Sequence, residues 1–258
     1  MWGAYPSTCA TCVQGPLFQS GDQLRHPRPT YPAELFEWLA SLVKGHGLAW
    51  DCACGSGQAT VGLAEHFTRV IGTDASASQI ACAPKHPKID WRVAPAELSG
   101  LSAESIDLTT VAQAAHWFDL PAFYNEVRRV AKPGSVIALW SYGIQRFDDP
   151  ALQEIVTDFY SNVVGPYWPP ERVLVENGYR TVPFPFEELA APGFSMSTSW
   201  DLEQLLAYFG TWSATNRYRE ALKQDPLPEL RDRLLKTWTS PGEPRLIEWP
   251  LAFRVGRL

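Results

Sequence analysis

A regular alternation of apolar runs and helical patterns between residues 48 and 140 limits the possible folds more than any other feature of the chain. Short apolar runs, typical of strands buried on both faces, occur at residues 48–53, 70–74, 89–94, 106–111 and 135–140. Helical patterns separate the first of these runs, and Asp119 is placed as the N-cap of a further helix. Repeated strand–helix units with short connections predict a parallel sheet with right-handed crossovers.

The segments on either side of this alternation predict more helices and a closing strand. Pro32 is expected to open a helix, because proline is favoured in a first helical turn. Downstream, helix starts are predicted at Asp149, at Asp201 with Gln204 as a capping box, and at Asp225. We expect loosely ordered residues 1–27, followed by a single Rossmann-like α/β domain over residues 28–258. Its sheet is predicted to have seven mostly parallel strands with an antiparallel last strand, and a helical cap is predicted around residues 145–245.

Composition narrows the class of partner. The 258 residues are 45% hydrophobic and carry a net charge of −6, with no long run of Lys and Arg, so no nucleic-acid partner is expected. No apolar run approaches the roughly 18 residues of a membrane span, and the first residues lack the pattern of a signal peptide. We therefore expect a cytoplasmic protein, a monomer or homodimer, that acts on a small molecule away from membranes.

The five cysteines do not predict a metal site. Cys9 and Cys12 have CxxC spacing, but no second pair and no histidine cluster completes a zinc site. Cys52 and Cys54 flank a glycine-rich turn and are interpreted as small buried residues. No bound metal is expected.

The turn itself is the segment AWDCACGSGQAT, in which Gly55 and Gly57 follow the first predicted strand. Glycine lets the backbone turn sharply and approach a ligand closely, and the next helix begins with unpaired N–H groups. Alone, such a turn would also suit NAD(P) in an oxidoreductase. The third glycine of the dinucleotide pattern is missing, which argues against NAD(P). Asp51 precedes the turn, and Asp74 ends the second strand, where it could accept both hydroxyls of a ribose. A carboxylate near each end of the ligand favours a cationic molecule over a dianionic one. Without a ligand, Asp51 would be a loop cap and Asp74 a helix N-cap.

The resemblance to a known family becomes specific when four segments are taken together: DCACGSGQAT, GTDASASQI, APAELSGLSAESIDLTTVAQAAHWFD and FYNEVRRVAKPGSVIALW. They resemble the successive motifs of class I S-adenosylmethionine-dependent methyltransferases, and more narrowly the methyltransferase type 11, or trans-aconitate methyltransferase-like, branch. The resemblance covers about residues 24–141. It implies S-adenosyl-L-methionine as cofactor and in-line transfer of its methyl group to a small molecule.

The resemblance also implies roles for single residues. Gly55 and Gly57 would face the methionine part of the donor, Asp74 the ribose, Ala75, Ala96 and Glu97 the adenine, and Gln113 the region beneath the sulfonium. Arg28 would pair with the donor's carboxylate. The full set of predicted donor-binding residues is Arg28, Asp51, Ala53, Gly55, Gly57, Asp74, Ala75, Ala96, Glu97, Gln113, Ala114 and Trp117.

The acceptor side is less constrained by the sequence. His116 is the candidate general base for a hydroxyl or amine acceptor, although it could equally shape the pocket, whereas a carboxylate acceptor needs no base. Aromatic residues of the predicted cap would line the acceptor pocket, namely Trp168, Trp200, Tyr208, Trp212 and Tyr218. We expect at least one of Arg217, Arg219 and Arg245 to hold a small carboxylic acid, the alternative being that all three are surface charges. A donor-binding module without catalysis is the other open interpretation.

Overall fold

The sheet at the centre of the fold is built from strands that the apolar runs predict. The computed structural model describes residues 29–238 and 240–258. Its strands are β1 (Leu48–Cys52), β2 (Arg69–Asp74), β3 (Ile89–Val93), β4 (Ile106–Ala112), β5 (Ala131–Tyr142), β6 (Glu187–Glu188), β7 (Ser195–Trp200) and β8 (Arg245–Arg257). The expectation that residues 1–27 are loosely ordered lies outside the described residues.

The strand order confirms the predicted sheet. Within the described residues the order is β3-β2-β1-β4-β5-β8-β6, and β7 pairs with another part of β8. Strands β1 to β5 are mutually parallel, and β8 runs antiparallel to β5. The chain moves outward from β1 to β3 on one side and then from β4 to β5 on the other. The direction of winding therefore switches between β1 and β4, which is where open α/β sheets form their ligand crevice.

The helices start where capping residues place them. They are α1 (Ala33–Ser41), α2 (Gln58–Ala64), α3 (Ala77–Ala81), α4 (Leu120–Val130), α5 (Pro150–Asp158), α6 (Arg172–Glu176), α7 (Leu202–Gly210), α8 (Ser213–Leu222) and α9 (Leu227–Leu234). Asp119 accepts the Ala122 N–H at the start of α4, and Asp149 accepts the Ala151 N–H at the start of α5. Asp201 and Gln204 form the predicted capping box of α7. Helices α6 and α8 have no counterpart in the sequence prediction.

Both faces of the sheet are covered. Along β5, Val136, Ala138 and Trp140 belong to one buried cluster, whereas Ile137 and Leu139 belong to a second. Alternate residues of a strand point to opposite faces, so the two clusters lie on opposite sides of the sheet. This double coverage explains why the strands appear in the sequence as continuous apolar runs rather than alternating ones.

The segment predicted as a helical cap contains helices α5 to α9 and also β6 and β7, both of which pair with β8. Strand β8 has 13 residues, because one half of it pairs with β5 and the other half with β7. Among the described residues, no helix combines the length and apolar character needed to cross a membrane.

Candidate functional site

The carboxyl ends of three neighbouring strands bring the predicted donor-binding residues together. Strand β1 lies between β2 and β4, so the segments after residues 52, 74 and 112 emerge side by side at one edge of the sheet. The two glycines follow β1, Asp74 ends β2, and Gln113 follows β4. Residues that are distant in sequence thus share one edge because the parallel register aligns their strands.

The two glycines of the turn have different local reasons to be glycine. Gly55 has a φ of +57°, and a Cβ there would find only Gln79 Oε1, at 3.9 Å. Gly57 has a φ of +94°, and a Cβ there would collide with the indole of Trp91 on β3. Gly55 therefore leaves open space beside the backbone, whereas Gly57 is needed for packing within the protein.

Asp74 connects the glycine turn to the end of β2. Its Oδ2 accepts the Gly55 N–H at 2.9 Å, and its Oδ1 accepts the Ser76 N–H at 2.8 Å. A carboxylate offers about four lone-pair positions, so each oxygen keeps capacity for a further donor. The half-buried Asp74 is therefore oriented by the backbone and can still accept two hydroxyl groups.

Asp51 lies deeper than a loop cap would. It is fully buried, and the hydroxyls of Thr60 and Thr110 donate to its two carboxylate oxygens at 2.6 and 2.8 Å. Burial raises the pKa of Asp51 to about 6, and the two threonine hydrogen bonds limit the rise. The site thus holds a carboxyl group whose ionised form would gain from a nearby positive charge.

Gln113 combines backbone strain with an unpaired polar atom. Gln113 and Ala53 have φ values of +57° and +53°, a conformation uncommon for residues with a Cβ and often retained at ligand sites. The Gln113 side-chain Nε2 donates to the Tyr142 carbonyl at 2.8 Å. Within the described residues its Oε1 is buried and has no hydrogen-bond partner. A buried acceptor of this kind is costly unless a ligand or water satisfies it.

The residues expected around the adenine border the same edge. Ala75 is exposed, Ala96 and Ala114 are buried, and Glu97 is half-buried. Glu97 Oε1 accepts the Asp119 N–H at 3.1 Å, which connects the segment after β3 with the start of α4. The Trp117 side chain is 49% exposed, so it is available to a ligand rather than committed to the core.

His116 lies in a short 3-10 turn, Ala115–Trp117, directly after β4. Its Nδ1 is hydrogen-bonded to the Tyr179 hydroxyl at 2.9 Å. Burial, followed by the positive charge of Arg172, lowers the pKa of His116 to about 4. The imidazole is therefore neutral at pH 7, but it is a weak proton acceptor.

The predicted arginines are placed differently from one another. Arg28 lies outside the described residues. Arg217 is exposed on α8, and Arg219 forms an ion pair with Asp225 at 3.0 Å. The Nη1 atom of Arg245 lies 3.9 Å from Asp149 Oδ2, and its guanidinium carbon lies 5.8 Å from the centre of the Trp238 ring. The role expected for one of Arg217, Arg219 and Arg245 in holding the acceptor stays a prediction.

The sequence prediction did not include a group of tyrosines above the strand ends. Burial raises the pKa of the Tyr31 hydroxyl well above its usual range, with smaller contributions from Tyr142, Asp51 and Tyr179. The Tyr31 ring lies 5.6 Å from the Trp140 ring, edge to face. Tyr31 lies three residues after Arg28, which the resemblance assigns to the donor's carboxylate, and that position is the available signal. No sequence signal placed Tyr179 beside His116, because 63 residues separate them.

Comparisons with known proteins agree with this geometry. Residues 50–139 match the family described as a methyltransferase domain. A Dictyostelium discoideum protein named as a methyltransferase is 36% identical over 229 residues, with 86% of both chains covered. The chain belongs to the methyltransferase family.

Two further relatives extend the assignment of this methyltransferase. A Saccharomyces cerevisiae protein named as an S-adenosylmethionine-dependent methyltransferase is 32% identical over 47% of this chain and 45% of its own. A solved structure from Anaeromyxobacter dehalogenans, described as a type II methyltransferase, is 47% identical, with a TM-score of 0.85 over 90% of this chain and 98% of that one. The family confirms the predicted enzyme class and its cofactor, S-adenosyl-L-methionine. It also removes the oxidoreductase alternative. The narrower trans-aconitate-like branch stays a prediction.

Proposed function

We propose that this methyltransferase holds its donor at the carboxyl ends of β1, β2 and β4 and transfers the methyl group to a small carboxylic acid by an in-line path. The observation that carries the donor position is Gln113. Its unusual backbone conformation and its unpaired buried oxygen lie at the point where the strand order switches. A strained residue with an unsatisfied acceptor is explained most simply by a ligand that satisfies it.

The residues present fit the donor. Asp74 keeps free lone pairs on both oxygens and would accept the ribose hydroxyls while its backbone contacts persist. Gly55 leaves the space that the methionine part needs, and Gly57 keeps the turn packed on Trp91. Ala75, Ala96 and Glu97 would border the adenine, and Ala53, Ala114 and Trp117 would complete the surroundings. Arg28 is proposed to pair with the donor's carboxylate.

When bound, S-adenosyl-L-methionine supplies a methyl group on a positively charged sulfur. The carboxyl group of Asp51 is held in place by two threonines, and a nearby cation would favour its ionised form. Because β1 and the surrounding core bury Asp51 completely, water screens this attraction little. Asp51 thus contributes a fixed negative charge on the donor side of the site.

A carboxylate acceptor is consistent with the state of His116. Carboxylic acids are ionised at neutral pH and need no base before they accept a methyl group. With a pKa of about 4, His116 would be a poor base for a hydroxyl or an amine. Its hydrogen bond to Tyr179 instead supports a role in holding the turn after β4 in place beside the acceptor.

The cap would supply the walls of the acceptor pocket. Of the five aromatic residues proposed to line it, Trp200 and Tyr208 are buried in the core, whereas Trp168, Trp212 and Tyr218 keep partly exposed surfaces. Apolar walls exclude water and align a small acceptor, which is most of what such a transfer requires.

The test is direct. Calorimetry with S-adenosylhomocysteine should show micromolar binding, and labelled donor should mark one or more members of a screen of small carboxylic acids and phenols. Absence of donor binding by the folded protein would contradict the donor site. Transfer to phenols alone would contradict the carboxylate acceptor. The single domain with its cap, the monomeric or dimeric state, the cytoplasmic location and the lack of a nucleic-acid partner stay predictions.

A further inference from the structure

An arginine that the sequence prediction did not select occupies the aromatic part of the cap. Arg172 is the first residue of α6, and its guanidinium carbon lies 4.6 Å from the centre of the Trp168 ring and 5.5 Å from that of Tyr160. Trp212 is the third aromatic residue of this group, and its ring centre lies 5.5 Å from that of Trp168 and 5.6 Å from that of Tyr160. The half-buried guanidinium therefore lies against two rings of a three-ring aromatic group.

The hydrogen bonds of Arg172 leave one edge of its guanidinium unused. Its Nε donates to the Tyr160 hydroxyl at 2.7 Å, and that hydroxyl donates to Glu176 Oε1 at 2.6 Å. Over residues 29–238 and 240–258, Arg172 forms no ion pair, and neither terminal nitrogen makes a hydrogen bond. The nearby carboxylate of Glu176 is thus engaged by Tyr160, and the two terminal nitrogens stay available as a fork.

Arg172 also faces the candidate site. Helix α6 packs against the 3-10 turn that carries His116. Besides burial, the positive charge of Arg172 contributes to lowering the pKa of His116 on that turn. The turn directly follows β4, one of the strands whose carboxyl ends carry the predicted donor-binding residues. It therefore connects the donor side of the site with the helix that carries Arg172.

We propose that Arg172 is the specificity-determining residue of the acceptor pocket, and that its two terminal nitrogens bind a carboxylate of the acceptor. This inference rests on the proposed methyltransferase function. A half-buried guanidinium without a paired carboxylate is costly, and an anionic ligand would remove that cost. Trp168 and Tyr160 hold the guanidinium plane, so little freedom is lost when a planar carboxylate binds. Among the sequence-predicted arginines, Arg219 already has a carboxylate partner and Arg217 is exposed.

The experiment measures binding of matched acids and amides to the full chain saturated with S-adenosylhomocysteine. The probes are benzoate, cinnamate and succinate, each compared with its primary amide, which has the same shape without the charge. The proteins are wild type, Arg172→Met, Arg172→Lys and Arg128→Met. The last variant is the control, because it removes an arginine whose guanidinium carbon lies 5.1 Å from the centre of the Phe186 ring, outside the aromatic group around Arg172.

We expect the wild type to bind at least one acid about 10- to 100-fold more tightly than its amide, the range for charge-assisted hydrogen bonds. Arg172→Met should lose that preference while amide binding and S-adenosylhomocysteine binding persist. Arg172→Lys should keep part of the preference, because the charge remains without the fork. Arg128→Met should behave as wild type.

Several results would overturn the inference. One is an acid preference that survives in Arg172→Met, and another is an equal loss of that preference in Arg128→Met. A wild type that binds S-adenosylhomocysteine but prefers none of the acids would also overturn it. Equal weakening of acid and amide would show that Arg172 only supports the pocket wall. If Arg172→Met does not fold, a wild-type acid preference in Arg172→Lys would decide against the fork. Failure of S-adenosylhomocysteine binding in the wild type would instead contradict the proposed function itself.

Discussion

The donor side of the site and the aromatic cap are built from different kinds of interaction. On the donor side, Asp51 and Asp74 accept hydrogen bonds from hydroxyls and backbone N–H groups at 2.6 to 2.9 Å. In the cap, Tyr160, Trp168 and Trp212 meet through ring contacts of 5.1 to 5.6 Å. Hydrogen bonds hold individual atoms at defined positions, whereas ring contacts build an extended apolar surface.

The difference affects what each region can recognise. Hydrogen bonds to a placed carboxylate select a ligand by the positions of its donors, which suits one constant cofactor. Aromatic walls accept many shapes of similar size, and selection there depends on the few polar groups among them. Among the aromatic rings of this cap, Arg172 keeps two terminal nitrogens without a hydrogen bond within the described residues, so a single arginine can set the preference of the pocket.

The largest effect is expected at the glycine turn. Gly57→Ala should lower the free energy of unfolding by about 2 to 4 kcal/mol, because φ is positive and the new Cβ collides with Trp91. Gly55→Ala, whose nearest neighbour is 3.9 Å away, should cost only about 1 kcal/mol. Urea unfolding of both variants measures the comparison. Equal losses would show that Trp91 moves aside and that the turn is not held by packing.

The next effect concerns the carboxylate at the end of β2. Asp74→Ala should weaken donor binding by about 2 to 4 kcal/mol, since charged hydrogen bonds to the ligand and the support of Gly55 are both lost. Calorimetry with S-adenosylhomocysteine measures it. Asp90→Ala, which removes a partly exposed carboxylate paired with Arg92 on β3, is the matched control and should bind as wild type. Unchanged affinity in folded Asp74→Ala would make Asp74 a loop-ordering residue only.

A third prediction separates stability from binding at Asp51. Burial raises the pKa of Asp51 to about 6 in the folded state. The contribution of Asp51 protonation to the free energy of unfolding is therefore fully present below about pH 4 and is lost as the pH rises through 6. Asp51→Asn should therefore stabilise the ligand-free protein by about 2 to 3 kcal/mol at pH 8 and have little effect at pH 4. Donor binding should weaken, because the fixed negative charge is gone.

Chemical unfolding at both pH values measures the gain in stability, and donor calorimetry measures the loss of binding. A variant that is less stable than wild type at pH 8 would mean that the threonine hydrogen bonds outweigh the burial of the charge. Thr60→Val and Thr110→Val, which remove one hydroxyl each, would then identify which bond is responsible.

The smallest effect is expected at the junction of the two regions. His116→Asn removes the hydrogen bond to Tyr179 and should cost about 0.5 to 1.5 kcal/mol of stability. Because the pKa of His116 is about 4, the rate of methyl transfer should keep the same dependence on pH between 6 and 8 in wild type and variant. A rate loss of about 100-fold or more, with a wild-type inflection near pH 6 to 7, would identify His116 as a general base.

The donor side could be predicted from the sequence because its residues lie directly after strands whose apolar runs are unmistakable. Strand–helix alternation also predicts that β1, β2 and β4 are parallel, so that their carboxyl ends lie at one edge. The structure adds that the three strands are neighbours, which brings Asp51, Asp74 and Gln113 together at that edge. Helix starts at Asp119, Asp149 and Asp201 were predicted for the same local reason, since a cap involves residues only two or three positions apart.

Contacts between distant segments were decided only by the tertiary structure. Gly57 stays a predicted donor-facing glycine, but the structure adds that the Trp91 indole lies where its Cβ would be, and the sequence holds no sign of that packing. The same holds for Tyr179 beside His116, and for helices α6 and α8, which no local pattern predicted.

The sequence by itself therefore determined where the strands and helix starts lie and which carboxylates follow the strands, since periodicity and capping act over a few residues. The tertiary structure alone decided that Asp51 is fully buried between two threonines and that Arg172 lies on Trp168 without a carboxylate partner among the described residues. Burial and charge pairing depend on which surfaces meet when the cap folds onto the sheet. That choice is made by the packing of side chains far apart in the chain.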